Sequence, residues 1–378
     1  MSLSVFIKES AEVSDSANWV KKELKSCKYF SLDAIEGYTV DDNDGVIMMM
    51  ERAKVDYDEM LCLSSQEVIR EINEKDGEPG SLQRKINLAR VFGIDLLYAL
   101  YSEASRHHVW LYRFRHSGEG SLEEEFNDFS SFGIWLSNHR TKTISKGFGH
   151  ENVISHDTSH FSDLPGFDQT LRNNKTPWLG NLDAFVSDKE GNPIALIEFQ
   201  NTSKSPKDHC NNFFFLSGAD FNRVNSWEIA RVHSGLPFFI IVWSKEQTGY
   251  RIKRLDCCTF LKGENGLSNN IQACVSSESA VARVANNRSS YSFTKRDNGI
   301  SKVDHTPPLS IEDKTFPSIY SKYNELQTEN LSFMDSFLPK LGICPQCGSK
   351  LVPRNSRFGP FIGCSSYPNC HYIVKTNV

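Results

Sequence analysis

Long hydrophobic runs are missing from this sequence of 378 residues. The longest apolar stretch, LPFFIIVW at 236–243, is far shorter than the roughly 20 residues that a membrane-spanning helix needs. The first residues, MSLSVFIKESAEVSD, lack the charged and then apolar order of a secretory signal. We therefore expect a cytoplasmic protein that has no membrane partner.

Glycine-rich phosphate loops, sequence repeats and low-complexity tracts are also missing. Without a phosphate-cradling loop, this chain is not expected to be an ATP-driven motor. Hydrophobic residues make up 39% of the chain and charged residues 24%, which is typical of globular proteins. The length favours two or three domains. From about 121 to 245, the order helix, hairpin, helix, strand predicts an α/β fold with a mixed sheet. The first helix of this order is predicted at 121–138, with Ser121 as its cap.

Acidic residues are absent from 341–378, where four residues are basic, namely Lys350, Arg354, Arg357 and Lys375. Residues 1–80 show the opposite bias, with 18 acidic and 9 basic residues, a balance of −9. The basic end is therefore a candidate for phosphate contact, unless its charge is chance in a short window. The acidic N-terminal region is a candidate surface for a protein partner.

Cysteine is the residue with the clearest pattern. Six of the ten cysteines are scattered and are expected to be reduced and packed: Cys27, Cys62, Cys210, Cys257, Cys258 and Cys274. The other four form C-x2-C and C-x5-C pairs separated by 16 residues: Cys344, Cys347, Cys364 and Cys370. Two close thiolate pairs can complete a tetrahedron around one Zn²⁺. Coincidence or disulfide bonds are the alternatives. KLVPR and GPFIGC, between the pairs, are predicted to form two short strands.

The tail closely resembles the C-terminal zinc finger of bacterial type I DNA topoisomerases. CPQCG, LVPRNSRFGPFIGCSSYPNC and the following tyrosine carry the resemblance, over about the last 35 residues. The resemblance implies binding to single-stranded DNA. The candidate contacts are basic residues for phosphates and aromatic residues for bases: Lys350, Arg354, Arg357, Phe358, Tyr367 and Tyr372. We expect Phe361 to fill the finger's small core. No tyrosine elsewhere stands in a recognisable cleavage motif, so the finger is interpreted as a targeting module.

A second pattern lies in NLDAFVSDKEGNPIALIEFQN, at 181–201. Two apolar runs flank a turn, and each run contains one carboxylate. A turn centred between Glu190 and Gly191 places Asp183 directly opposite Glu198. Because facing like charges destabilise a sheet, a divalent cation between them would explain the pair. The alternative is an ordinary exposed hairpin whose acids face water.

This hairpin resembles that of the PD-(D/E)XK, or restriction-endonuclease-like, nuclease superfamily, in which an acid on one strand precedes E-x-K or E-x-Q on the next. Asp183 and Glu198-Phe199-Gln200 match the motif, while 221–235 and 236–243 match the next helix and strand. The resemblance implies that Asp183 and Glu198 bind Mg²⁺ or Mn²⁺, helped by the Phe199 carbonyl. Gln200 stands where most members carry lysine, and the missing positive charge is assigned to Lys204, with Lys207 as an alternative. The family's acid on the preceding helix is assigned to Glu125, with Glu123 and Glu124 as alternatives.

The remaining histidine and cysteine pairs are weaker metal candidates. His156 and His160 are expected on polar surface, and His209-Cys210 and Cys257-Cys258 among packed residues. The acid run at 41–44 lacks the spacing of a calcium loop and is interpreted as a solvated turn.

The sequence thus predicts a mixed-sheet, restriction-endonuclease-like core with a small C-terminal zinc ribbon. The predicted regions are an acidic α/β region of unknown role (1–115), a nuclease-like domain (116–285), a linker with a short helix (286–340) and the zinc ribbon (341–378). The predicted function is a metal-dependent DNA nuclease directed to single-stranded or unwound DNA, in host defence or repair. The alternatives are a non-catalytic DNA-binding or regulatory protein with a degenerate nuclease fold, and an adaptor whose tail binds protein.

Overall fold

The structure is a computed structural model. It describes residues 2–8, 24–41, 45–104, 106–139, 166–202, 226–227, 229–244, 250–255, 260–261, 270–271, 295–296, 299–300, 320–325 and 333–374. Among these residues, no helix combines the length and the apolar character needed to cross a bilayer.

The described strands are β1 (Phe6–Lys8), β2 (Ser31–Asp41), β3 (Gly45–Val55), β4 (Leu96–Ser102), β5 (His108–Phe114), β6 (Gly120–Phe126), β7 (Gly180–Ser187), β8 (Pro193–Thr202), β9 (Phe238–Ser244), β10 (Tyr250–Leu255), β11 (Phe260–Leu261), β12 (Asn270–Ile271), β13 (Lys295–Arg296), β14 (Gly299–Ile300), β15 (Tyr320–Glu325), β16 (Leu351–Ser356) and β17 (Gly359–Cys364). The helices are α1 (Tyr57–Leu61), α2 (Ser65–Lys75), α3 (Ser81–Val91), α4 (Phe129–His139), α5 (Gly166–Asn173) and α6 (Phe333–Lys340). Residues 226–227 and 229–234 are also helical.

One large sheet organises the described part of the chain. Its strand order is β15-β10-β9-β8-β7-β2-β3-β4-β5-β6, with β1 added beside β3. The β3–β4 and β8–β9 pairs are parallel, and the other pairs are antiparallel, so the predicted mixed α/β class is confirmed. The predicted boundary at 115/116 falls between β5 and β6, which form an antiparallel pair. The first two predicted regions therefore share one sheet.

Helices cover both faces of this sheet. On one face, α2, α3 and the helical residues 226–227 and 229–234 bury Val68, Ile86 and Trp227 against the sheet. On the opposite face, α4 and α5 pack over β3, β4 and β5, and α6 packs over β7, β8 and β9. The central strands are consequently buried on both sides, which explains why β4 has the almost wholly apolar sequence LLYALYS.

The sequence interpretation of 121–138 as one helix is wrong. Residues 120–126 form β6, and the helix begins only at Phe129. The carboxylate of Asp128, not Ser121, caps the helix, accepting a hydrogen bond from the backbone N–H of Ser131 at 2.8 Å. The acidic run GSLEEEF suits an edge strand because most of its side chains face water while Phe126 points into the core.

Other local predictions are confirmed. The helix predicted at SSQEVIREINEK is α2, and Ser64 forms a capping box with Glu67. The predicted strand in LPFFIIVW is β9, preceded by helical residues up to 234. Two short strands, β16 and β17, form the predicted ribbon hairpin.

Candidate metal centre and nucleic-acid interface

The four C-terminal cysteines converge on one point. Their sulfur atoms all lie within 4.8 Å of one another, with Cys344 and Cys370 at 3.7 Å and Cys347 and Cys364 at 3.3 Å. Zn–S bonds of about 2.3 Å in a tetrahedron place the sulfurs roughly 3.8 Å apart. The donor set therefore fits one tetrahedral Zn²⁺, as the cysteine spacing predicts.

A tight turn brings the first cysteine pair together. Gly348 has a φ of 75°, and its N–H donates to the carbonyl of Cys344 at 2.8 Å. Hydrogen bonds from Ser349 lower the pKa of Cys347 to about 6, whereas burial raises the pKa of Cys344 to about 12. The buried core around the cysteines is very small, with only Leu351 and Tyr372 packed against it among the described apolar residues. Such a core cannot hold the ribbon without metal.

The ribbon is docked on the sheet. Helix α6 directly precedes it, and the fully buried Phe337 packs edge-to-face on Phe239 of β9 with ring centroids 5.6 Å apart. Tyr29 lies against the first knuckle, since a Cβ added to Gly348 would come within 2.2 Å of its ring. The zinc site is thus fixed relative to strands β8 and β9 by apolar packing.

Two aromatic side chains project from the ribbon into solvent. Phe358 is 85% exposed and Tyr367 is 58% exposed. The guanidinium of Arg357 lies 4.6 Å from the Phe358 ring centroid, and that of Arg354 lies 5.6 Å from the Tyr367 ring centroid. Exposed rings beside cations form the kind of surface on which unpaired bases stack next to neutralised phosphates.

Other predicted contact residues have structural partners. Tyr372 is half-buried against the cysteines, and Arg354 also donates to the carbonyl of Cys364 at 2.9 Å. Lys350 is exposed. Phe361 is half-buried beside Gly363 and is not part of the cysteine cluster. Ile362 and Ile373 are two further exposed apolar side chains that sequence reasoning did not select.

The hairpin of β7 and β8 has the predicted register near the acids, with a register shift between Val186 and Ser187 on the side of the turn. Ala184 pairs with Ile197, and Phe185 pairs with Leu196. Continuing this register by one residue places Asp183 opposite Glu198. The carboxylate of Asp183 accepts hydrogen bonds from the backbone N–H of Phe199 at 2.9 Å and from the side chain of Asn181 at 2.7 Å. These two bonds hold the carboxylate against the peptide that joins Glu198 to Phe199.

Glu198 lies deep in the sheet. It is 2% exposed and pairs with Ile240 of β9, so it does not face water as in the exposed-hairpin alternative. Gln200 lies two residues further along β8, and its buried Oε1 accepts no hydrogen bond from the described residues. The charge of a buried carboxylate close to a second acid is compensated by a protein cation or donor, by a proton or by a bound metal ion.

The remaining predicted residues are not part of this arrangement. Glu125 lies on β6 with a half-exposed side chain, and its nearest ionic contact is His108 at 3.6 Å, so its assignment to a helix is wrong. β6 is the outermost strand of the half of the sheet that does not contain β7 and β8. Lys204, Lys207, His156, His160 and the pairs at 209–210 and 257–258 lie outside the described residues.

The class of the ribbon follows from its geometry: a four-cysteine zinc ribbon with an exposed, basic and aromatic face. Residues 341–377 match the family described as "Topoisomerase DNA binding C4 zinc finger". The chain therefore contains a DNA-binding C4 zinc finger of topoisomerase type, in which four cysteines bind zinc.

Curated relatives match over the same short region. DNA topoisomerase 1 of Helicobacter pylori strain J99 is 58% identical over 33 residues, which is 9% of this chain and 4% of that protein. YrdD of Escherichia coli strain K12, called an uncharacterized protein, is 57% identical over 30 residues, 8% of this chain and 17% of that protein. DNA topoisomerase 1 of Methanothermobacter thermautotrophicus is 47% identical over 37 residues, 10% of this chain and 5% of that protein. The chain thus spans a small part of these relatives.

Replacing one zinc ligand is expected to abolish Zn²⁺ binding by the ribbon. In Cys364→Ser, the zinc content should fall from about one per chain to near zero, because the remaining ligands cannot complete the tetrahedron. Elemental analysis after gel filtration measures this. Cys62→Ser is the matched control, since Cys62 is an exposed free cysteine outside the cluster. Equal zinc in both variants would contradict the assignment.

Proposed function

We propose that the protein is a metal-dependent DNA nuclease that the zinc ribbon directs to single-stranded or unwound DNA. The observation that carries this proposal is the placement of Asp183 at the Glu198–Phe199 peptide, inside a hairpin followed by a helix and a parallel strand. A buried carboxylate next to a second carboxylate has the oxygen donors that Mg²⁺ or Mn²⁺ prefers.

The residues of the hairpin have distinct roles in this proposal. Asp183, Glu198 and the Phe199 carbonyl would hold the ion, which supplies Lewis acidity at a phosphate and lowers the pKa of an attacking water. The hydrogen bonds from Asn181 and from the Phe199 N–H hold Asp183 in one orientation while leaving its oxygens further acceptor capacity. The Gln200 Oε1 can accept a hydrogen bond from the attacking water and thereby orient it. Gln200 carries no positive charge. The role of offering positive charge to the transition state is therefore assigned to Lys204.

The ribbon supplies binding. Its exposed rings at Phe358 and Tyr367 stack on bases in a manner tolerant of sequence, and its basic side chains contact phosphates. Helix α6 joins the ribbon to the face of β8 that carries Ile197, while Glu198 alternates to the opposite face. The ribbon is thus anchored to the strand that carries the acids, on the opposite face of the sheet. Host defence or repair are the settings that suit such a combination.

Incubation with single-stranded and supercoiled DNA tests the proposal. With Mg²⁺ in the buffer both substrates should be cut, and leaving Mg²⁺ out should stop the reaction while the ribbon keeps its zinc, because oxygen ligands hold the catalytic ion. Gel electrophoresis of the products measures cutting. Tight binding without cutting in Mg²⁺ or Mn²⁺ would support the alternative, a non-catalytic DNA-binding protein with a degenerate nuclease fold. Gln200 in place of lysine is the observation that favours that alternative.

A further inference from the structure

The large sheet is built from two units with the same connectivity. β2, β3, β4 and β5 follow one another with helices between β3 and β4, and β7, β8, β9 and β10 do the same with a helix between β8 and β9. In each unit the first two strands are antiparallel, the third is parallel to the second, and the fourth is antiparallel to the third. The units meet at the antiparallel β2–β7 pair in the middle of the sheet.

The registers of the two hairpins repeat with a constant offset. The pair Gly37 and Met50 corresponds to Ala184 and Ile197, and both members are 147 residues further along (184 − 37 and 197 − 50). Three more pairs keep this offset. The register irregularity after Thr39 recurs after Val186, again 147 residues later (186 − 39). A bulge in the same place is difficult to attribute to chance, because bulges are specific local features of a strand pair.

The offset places acids in equivalent positions. Glu36 corresponds to Asp183, and Glu51 corresponds to Glu198. Glu51 pairs with Tyr98, the third residue of β4, as Glu198 pairs with Ile240, the third residue of β9. The backbone N–H of Glu36 donates to the Glu51 carboxylate at 2.9 Å, so the acids of the first hairpin are also adjacent.

Protein cations neutralise the acids of the first unit. The Nζ of Lys85 lies 2.8 Å from Glu51 and 2.8 Å from Asp76, and all three side chains are almost completely buried. Lys8 adds a second ammonium at 2.7 Å from Glu51, and the Tyr98 hydroxyl donates to Asp76 at 3.0 Å. Burial acts to raise the pKa of Glu51, but the charges and hydrogen bonds of Lys85 and Lys8 lower it to about 2.

Two further differences remove metal chemistry from the first unit. Arg52 lies 3.1 Å from the Glu36 carboxylate and compensates its charge. The position equivalent to Gln200 is Ala53, which is fully buried and has no polar group to orient water.

We infer that the described residues of 31–114 and 180–255 are two copies of one unit, and that protein cations, Lys85 at Glu51 and Arg52 at Glu36, supply in the first copy the positive charge that a divalent cation would supply in the second. The Lys85 ammonium lies between Glu51 and Asp76, and the Arg52 guanidinium lies beside Glu36, so both acids of the first copy have a protein cation as partner. The protein is then a fused pseudo-dimer in which the first copy is a scaffold closed to metal. The assignment of a cation to the second copy rests on the proposed function, whereas the closed state of the first copy rests on its own contacts.

Removing the two ammoniums should open the first copy to Mn²⁺. The test variant is Lys8→Gln/Lys85→Gln in the full chain, with bound Mn²⁺ counted by electron paramagnetic resonance. Relative to the parent, this variant should bind one more Mn²⁺ per chain, and adding Glu51→Gln should remove that ion again. Lys54→Gln is the matched control, because Lys54 pairs with Glu103 outside the cluster and should add no ion.

The two hypotheses fail in different ways. If Asp183→Asn/Glu198→Gln leaves the parent's Mn²⁺ count unchanged, the proposed function loses its metal site, but the extra ion in the lysine variant still supports the duplication. If the lysine variant folds and gains no ion, the inference is overturned. If that variant is insoluble, it is refolded from urea with and without Mn²⁺. Recovery of the native circular dichroism only with Mn²⁺ supports the inference, and no recovery in either case overturns it.

Discussion

Asp183→Asn and Glu198→Gln are each expected to reduce Mg²⁺-dependent DNA cleavage by about a thousandfold. Loss of one charged ligand removes several kcal/mol of stabilisation from a metal-assisted transition state, and each 1.4 kcal/mol is about tenfold in rate. Asparagine still offers a carbonyl oxygen to the N–H of Phe199, so Asp183→Asn should keep the hairpin folded. Initial rates on single-stranded DNA, with Mg²⁺ above saturation, measure the effect.

Glu190→Gln is the matched control for these variants. It removes one acid from the same hairpin, but at the exposed tip of the turn, and should leave the cleavage rate within about twofold of the parent, since exposed substitutions rarely disturb a fold. DNA binding measured without Mg²⁺ and without a chelator should be equal in all variants because the zinc-loaded ribbon is unchanged. Cleavage that persists in both acid variants, or that falls equally in the control, would exclude the hairpin as the catalytic centre.

The sequence predicts best where the determining contacts are local. Cys344 and Cys347 define a knuckle through a two-residue spacing, and Gly348 supplies the left-handed turn that the spacing requires. The alignment of Asp183 with Glu198 depends on more than the turn, because Ser187 pairs with Pro193 and a register shift next to Val186 restores the predicted pairing. Spacing alone therefore predicts the cysteine knuckle, whereas the hairpin register also depends on a bulge that spacing does not reveal.

Prediction fails where local signals conflict or where contacts are distant. Ser121 followed by three glutamates resembles a helix start, but pairing with β5 makes this segment a strand. The salt bridge between Lys85 and Glu51 joins residues 34 apart on a helix and a strand, which no periodicity reveals. The repeated unit shares few identities, since strand pairing depends on the backbone and on burial. Between 31–55 and 178–202 only four positions are identical: Leu32/Leu179, Asp41/Asp188, Ile47/Ile194 and Glu51/Glu198.

Two phenylalanines near the C-terminus should respond in opposite ways to the same substitution. Phe337→Ala is expected to lower the free energy of unfolding by about 3–5 kcal/mol, because it leaves a cavity where Phe337 packs on Phe239. Zinc content should stay near one per chain, since Phe337 is not part of the cysteine cluster. Urea unfolding followed by tryptophan fluorescence measures the stability, and elemental analysis measures the zinc.

Phe358→Ala should leave stability within about 0.5 kcal/mol of the parent, because the ring is 85% exposed. Its affinity for single-stranded DNA should fall by about 5- to 150-fold, which corresponds to the roughly 1–3 kcal/mol that one stacked base contributes. Both affinities must be measured at one salt concentration, since phosphate contacts make binding depend on ionic strength. If Phe358→Ala leaves the affinity unchanged while Phe337→Ala weakens DNA binding of the folded protein, the exposed ring is not the stacking site. The position of the ribbon on β8 and β9, not its own surface, would then control access to DNA.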